Sequence, residues 1–289
     1  MALENLTIYK QPNLSNPRLI MGFSGWMDGG GVSTGTLKEL VERTNAEKFA
    51  EIDPGDFYIY SFPAVMDVAA MFRPHTRIEQ GGIVAFDFPK NQFFCSESHD
   101  LILFLGREPN LKWGQYSDCI FSLCEHFGVK MIYFIGSVAG LVPHTREPRL
   151  FCATSTAKIR DNFKHYGVNF TNYEGPASIT TYLTAASSSR NLSMVSLVAT
   201  IPAYVQGDNP KCIQAVTERL AGMLQLDLKL GRLRALSEEF EKKLSRLVQE
   251  QPQLAANIKK LEEDYDSEIF NTEMGDLKNW LEQQGLQVD

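Results

Sequence analysis

The chain has 289 residues, 44% of them hydrophobic, with a formal net charge of −7 and five cysteines. That length supplies one large α/β core, or a core plus an appendage, and no stretch approaches the apolar length needed to cross a bilayer. The opening MALENLTIYK carries an acid early and has no secretory apolar segment, so no membrane association and a cytoplasmic location are expected.

The charge is uneven, with 13 acids against 8 bases from Gly231 onward, so the acidity belongs mainly to the C-terminal part. The body holds no basic stripe interleaved with aromatics, which argues against nucleic acid as a partner. Cys95, Cys119, Cys124, Cys152 and Cys212 are odd in number and form no Cys-x-x-Cys, so they read as reduced, mostly buried thiols. His75, His99, His126, His144 and His165 lack ligand spacing at helical or hairpin intervals; no metal and no cofactor are expected.

In chain order, Leu6–Lys10 reads as a short leading strand. Arg18–Phe23 is an apolar run of strand length, Ser24–Gly31 is a glycine-rich loop, and Val32–Arg43 is a helix that Ser33 or Thr34 can cap. Strand, glycine loop and helix open an α/β domain, and ligands of such domains sit over the carboxyl ends of the strands. The glycines do not match Gly-x-Gly-x-x-Gly, and the Gly-Lys-Ser/Thr of a phosphate loop is absent. Gly22-Phe23-Ser24-Gly25-Trp26 has tryptophan where a nucleophile elbow needs its last glycine, which leaves Ser24 as a turn hydroxyl. Trp26 and Asp28 keep two readings: Trp26 covers the core while Asp28 binds backbone amides, or both belong to a binding site.

Further strands are expected at Asp56–Phe62, Gly82–Phe88, Asp100–Gly106, Lys130–Gly136, Leu150–Thr154 and Met194–Ile201, and helices at Trp113–Phe127, Thr156–His165, Pro176–Ser189 and Pro210–Leu226. Most of the strands are continuous apolar runs, as in a sheet covered on both faces. The expectation is a three-layer αβα sandwich over residues 1–230, followed by a helical region over 231–289. There, Leu233, Leu236, Phe240, Leu244 and Leu247 share one helix face, Gln251-Pro252 interrupts, and Leu254, Ile258, Leu261, Tyr265 and Ile269 repeat the spacing. A helical hairpin results, with a third short helix expected at Glu273–Gln284. The hairpin either packs on its own core or presents Glu262, Glu263, Asp264 and Asp266 to a partner.

The tetrapeptide Pro74-His75-Thr76-Arg77 recurs as Pro143-His144-Thr145-Arg146. The second copy lies in Gly136–Arg146, which follows the apolar strand Met131–Ile135 and should form a second wall at the carboxyl edge of the sheet. Arg146 suits a carboxylate or phosphate and His144 a proton transfer; alternatively Arg146 pairs with Asp28 or Glu174 and fixes the loops. Tyr173–Pro176 and Ile201–Val205 supply two further edge loops. The candidate pocket is therefore Gly25, Trp26, Asp28, Gly29, His144, Arg146, Glu174 and Tyr204, suited to a small anionic ligand.

Six pieces occur in order: GWMDGGG (25–31), FRPHTR (72–77), GREPNLKWGQY (106–116), GSVAGLVPHTR (136–146), YEGPASI (173–179) and IPAYVQ (201–206). Together they resemble the proteasome assembly chaperone 2 family over roughly residues 18–265. The resemblance implies a phosphorylase/hydrolase-like αβα fold, similar to that of purine nucleoside phosphorylases, and self-association as a homo-oligomer, a trimer included. Eukaryotic and archaeal members are associated with ordering proteasome α-subunits. Two departures stand out. Archaeal members that dock on the proteasome end in a hydrophobic-Tyr-any motif, whereas this chain ends Leu286-Gln287-Val288-Asp289, and Ala203 stands where the family often has histidine.

The resulting reading is a cytoplasmic protein of the proteasome assembly chaperone type, more a protein-binding factor than an enzyme, with itself and proteasome-like or other assembly subunits as partners. The alternative is a small-molecule-binding protein or enzyme that uses the pocket at the carboxyl edge of the sheet.

Overall fold

Strand Arg18–Ser24 lies in the middle of the molecule because its side chains serve both faces of a sheet: Leu19, Met21 and Phe23 enter one apolar core and Ile20 the other. The computed structural model describes residues 4–283, with side chains through Phe270, so the terminal Leu286–Asp289 lies outside the described residues.

The strands are β1 (Leu6–Ile8), β2 (Arg18–Ser24), β3 (Glu47–Ile52), β4 (His75–Glu79), β5 (Gly82–Asp87), β6 (Gln92–Ser96), β7 (Leu101–Arg107), β8 (Met131–Gly140), β9 (Leu150–Thr154), β10 (Asn169–Phe170) and β11 (Ser193–Pro202). The helices are α1 (Val32–Arg43), α2 (Met66–Ala70), α3 (Trp113–Phe127), α4 (Ala157–Arg160), α5 (Ile179–Ser188), α6 (Pro210–Leu224), α7 (Gly231–Gln249) and α8 (Pro252–Gln283). Nine strands form one sheet in the order β1-β3-β6-β7-β2-β8-β11-β9-β10, while β4 and β5 pair only with each other. The central β7, β2, β8 and β11 are mutually parallel, so their carboxyl ends share one edge.

Helices α3 and α5 cover one face through Cys119, Ile120, Leu123, Ile179 and Leu183. Helices α1 and α6 cover the other through Val32, Leu37, Leu40, Ile213, Val216 and Leu220, and Leu233 of α7 joins that core. The three-layer αβα architecture is as expected. Each of these large apolar side chains contributes about 1.5–3 kcal/mol on burial. Gly22 is dictated by the crossing of α1 over β2: a Cβ there would lie 2.7 Å from Ser33 Oγ and 2.8 Å from Leu37 Cδ2.

The departures from the sequence reading have local causes. Asp56–Phe62 is not a strand. Gly55 takes a positive φ of 30°, the Phe57 carbonyl accepts from the Asn110 and Leu111 N–H groups, and the Tyr58 hydroxyl turns inward to Asn91 (2.8 Å). Gly82–Phe88 does form a strand, but in the β4–β5 hairpin outside the main sheet. Strands β3 and β6 replace both in the sheet, and lacked a clear signal because Glu47, Lys48 and Glu51 break the apolar pattern of β3. Thr156–His165 is a single helical turn continued by a 3-10 segment, Asp161–Tyr166. Helix α5 begins at Ile179 instead of Pro176, with the Ser178 hydroxyl accepting from the Thr181 N–H at its start. Pro252 starts α8 as expected, but the separate helix anticipated at Glu273–Gln284 is the continuation of α8 as far as Gln283. Among the described residues, no helix is long and apolar enough to cross a membrane.

Candidate functional site

The glycine loop after β2 is shaped by its neighbours in the fold. Gly30 has φ +62°, its carbonyl accepts from the Asn209 N–H (2.8 Å), and a Cβ on it would lie 2.9 Å from Asn209 Cβ. A Cβ on Gly29 would meet Ile201 Cδ1 at 3.2 Å. The close approach that glycine permits is thus taken up by the connection from β11 to α6, and the space expected for an anion over the loop holds protein.

Asp28 accepts from the Thr34 N–H (3.0 Å) and the Thr34 hydroxyl (2.8 Å), an anion satisfying orphan donors of α1. It performs the capping role expected of Ser33 or Thr34. Burial raises its pKa, and the bonds from Thr34 oppose that rise. Ser33 instead donates to the Ile135 carbonyl (2.5 Å) and accepts from the Phe23 N–H (3.1 Å), tying α1 to β2 and β8.

His144, Arg146 and Tyr204 are drawn to the C-terminal helices. The Tyr204 hydroxyl oxygen accepts from the His144 backbone N–H (2.8 Å) and lies 2.8 Å from Nδ1, while Nε2 lies 3.1 Å from Ser245 Oγ on α7. This network fits a neutral ring in which Tyr204 donates to Nδ1 and Nε2–H donates to Ser245. Burial lowers the His144 pKa, as does the Lys211 ammonium, while Glu241 and Glu262 oppose the change. Lys211 donates to the His144 carbonyl (2.8 Å) and pairs with Glu241 of α7.

Arg146 does not pair with Asp28 or Glu174. It grips Asp266 of α8 in bidentate fashion, Nε to Oδ1 at 2.8 Å and Nη2 to Oδ2 at 2.7 Å, with Glu262 at 3.7 Å. Thr145 donates to Glu262, Arg149 stacks over the Tyr265 ring at 4.2 Å, and the Tyr265 hydroxyl donates to the Glu147 carbonyl (2.7 Å). Residues 144–149 therefore form a clasp that fastens α7 and α8 to the core. Glu174 is exposed in the loop before α5, away from this clasp network.

The structure thus brings His144 and Tyr204 together, pairs Arg146 with Asp266 of α8, uses Asp28 and Gly29 in packing, and turns Trp26 elsewhere. Trp26 is 67% exposed, so it does not cover the core. With Tyr173 it lies beside a cavity of about 510 Å³ between α5 and the even-numbered side chains of β11, Ser196, Val198 and Thr200. Sequence reasoning passed over Glu108, the group that holds this region in place. Its carboxylate accepts from the Trp26 N–H (3.0 Å) and from the Ile179 N–H (3.2 Å), stapling the glycine loop to the start of α5. Its signal was its position directly after β7, inside the quoted piece GREPNLKWGQY.

Four of the five thiols are buried, and burial pushes Cys119 and Cys152 up to about 11 and Cys124 and Cys212 up to about 12. Among the described residues, no group of three or more His, Cys, Asp or Glu side chains is placed to hold a metal ion.

All the edge loops fall within residues 22–248, the span matched by the sequence profile of the PAC2 family. The chain belongs to the PAC2 family. Its fold is shared by solved structures of low sequence identity. A protein of unknown function from Mycobacterium tuberculosis, Rv2714, is 23% identical with a TM-score of 0.81, the match covering 94% of this chain and 92% of that one. The Mycobacterium tuberculosis proteasome-assembly chaperone homologue Rv2125 is 24% identical with a TM-score of 0.72, over 83% of this chain and 99% of its own. Pyrococcus furiosus PbaB, an archaeal proteasome activator, is 19% identical with a TM-score of 0.63, over 84% and 97%. Comparison with curated protein sequences finds no match.

Proposed function

We propose that this PAC2-family chain is a cytoplasmic, self-associating factor of the proteasome assembly chaperone type that works through protein–protein contact. The observation that carries the reading is the flap formed by α2 and the β4–β5 hairpin. Between residues 62 and 88, Val65, Met66, Met71, Ile78, Ile83 and Phe86 are each more than half exposed, and Phe62, Val68, Val84 and Phe88 are only somewhat less so. No residue of α2 is buried, and of the hairpin strands only Ala85 is even partly so. A concentration of apolar side chains of this kind marks an interaction surface, and a two-stranded hairpin by itself is marginally stable in water. A second copy of the chain covering the flap accounts for both features.

The names of the related structures support the chaperone type, with a proteasome-like or other assembly intermediate as client. In this reading residues 231–289 are an appendage clasped to the 1–230 core. Asp28 caps a helix, and His144, Arg146 and Tyr204 hold the clasp. Native mass spectrometry of the untagged protein, recovered gently from its own cells, tests the proposal. A homo-oligomer carrying a stoichiometric second protein is the expected result, and a monomer with no protein partner overturns it.

A further inference from the structure

The cavity beside Trp26 is distinct from the flap and from the clasp. Its floor is the sheet, with Phe151 of β9 and Val198 of β11; its roof is α5, with Thr184 and Ala185; Trp26 and Tyr173 complete it. At about 510 Å³ it falls within the range of small-molecule sites, roughly 300–1,000 Å³. None of its lining side chains is charged.

One polar group there is unspent. Ser196 is 8% exposed and lines the cavity, and its hydroxyl has no hydrogen-bond partner among the described residues. The neighbouring hydroxyls are engaged: Ser178 with Thr180 (2.6 Å), Thr184 with the Thr180 carbonyl (2.7 Å) and Thr171 with the Tyr173 N–H (3.2 Å). The Ser196 hydroxyl opens onto a cavity of ligand size, so its capacity to donate and accept is available to something that enters. The surrounding apolar surface and the exposed Trp26 ring favour a flat, apolar body.

We infer that the cavity between α5 and β11 is a binding site for an uncharged, ring-containing small molecule that hydrogen-bonds Ser196 and packs against Trp26. A charged ligand is disfavoured because no counter-charge lines the walls to offset its desolvation. This inference is independent of the flap and stands or falls apart from self-association.

The test uses the full-length protein and indole, a neutral ring with one N–H donor, followed by saturation-transfer NMR with a titration. Saturable binding is expected, with indole-3-acetate at least about tenfold weaker because its carboxylate would be buried unpaired. Val198→Phe, which fills the floor, should weaken indole at least about tenfold by steric exclusion. Thr184→Leu, which fills from the roof, serves as the second variant should the first fail to fold, while Ile83→Glu in the flap should leave indole binding unchanged. Absence of saturable indole binding, equal affinity for the anion, or affinity retained in a folded filling variant each overturns the inference. So does a change of subunit number in the filling variants without indole binding to wild type, which would assign the cavity to a side chain of another copy.

Discussion

The same four residues, Pro-His-Thr-Arg, occur in the flap and in the clasp, and the two copies have opposite surroundings. In the clasp, His144 is buried between Tyr204 and Ser245, Thr145 reaches Glu262, and Arg146 holds Asp266 through two bonds. In the flap, His75 lies 3.8 Å from Asp87 and Arg77 3.4 Å from Glu79, all well exposed, and the Thr76 hydroxyl bonds the Ala85 carbonyl across the hairpin. The difference is made by what lies opposite. Helices α7 and α8 of the same chain cover the clasp, whereas among the described residues nothing covers the apolar side chains of the flap. One region is finished within the subunit; the other is completed, in our reading, by a second copy.

The largest expected effect comes from breaking the flap. Ile83→Glu combined with Phe86→Glu should weaken self-association by on the order of a hundredfold or more, since each such side chain contributes about 1.5–3 kcal/mol when buried and 1.4 kcal/mol is tenfold. Sedimentation velocity across a concentration series reads this directly, and an unchanged oligomer would remove the flap from the interface.

Next is the clasp. Tyr265 is 7% exposed, and Tyr265→Ala removes its packing against Arg149 and its bond to Glu147. A loss of about 2–4 kcal/mol in urea unfolding is expected, with earlier proteolysis in α8 than in the core. Equal cleavage rates in variant and wild type would mean that the clasp does not hold α8.

Acid should loosen the same region. The folded pKa of His144 is below its ordinary 6.5, so its contribution to stability is complete above that value and is lost as pH falls from 6.5 through the lowered folded pKa. The raised pKa of Asp28 acts in the opposite sense, stability rising on acidification through the window above 3.8. Comparing the urea midpoint of wild type and His144→Gln between pH 7.5 and 5 separates the two groups. The variant should show the flatter fall, and parallel curves would exclude His144 as the source.

The smallest expected contrast is between the two arginines. Arg146→Ala should cost less than Tyr265→Ala, and its cost should shrink in added salt because the pair with Asp266 is solvent-accessible. Arg77→Ala, whose partner lies two residues away on the same exposed strand, should leave the unfolding midpoint unmoved. Equal losses from both would contradict the distinction drawn between clasp and flap.

Elements with a strong local signal were legible from the sequence. Strand β9 and helix α1 have the expected bounds, and the heptad-like rows of α7 and α8 predicted the helical pair broken at Gln251-Pro252. Strand β3 was not legible, because a strand with charged residues at half its positions becomes a strand only through pairing with β1 and β6. The site suffered in the same way. Asp28 bonds a backbone amide, as one of its two readings has it, but neither carboxylate offered to Arg146 is its partner: Asp266 lies 120 residues downstream, on α8.

The sequence by itself determined the layered α/β plan, the C-terminal helices and the family, because periodicity, apolar runs and ordered loop motifs are local properties that survive without coordinates. Only the tertiary structure decided which loops meet. The glycine loop packs against Ile201 and Asn209, Arg146 turns to α8, Trp26 borders a cavity under α5, and the flap is left uncovered by the described residues. The physical reason is that a residue's type states what it can bond or bury, while its partner is set by which distant segments the sheet order brings within a few ångströms.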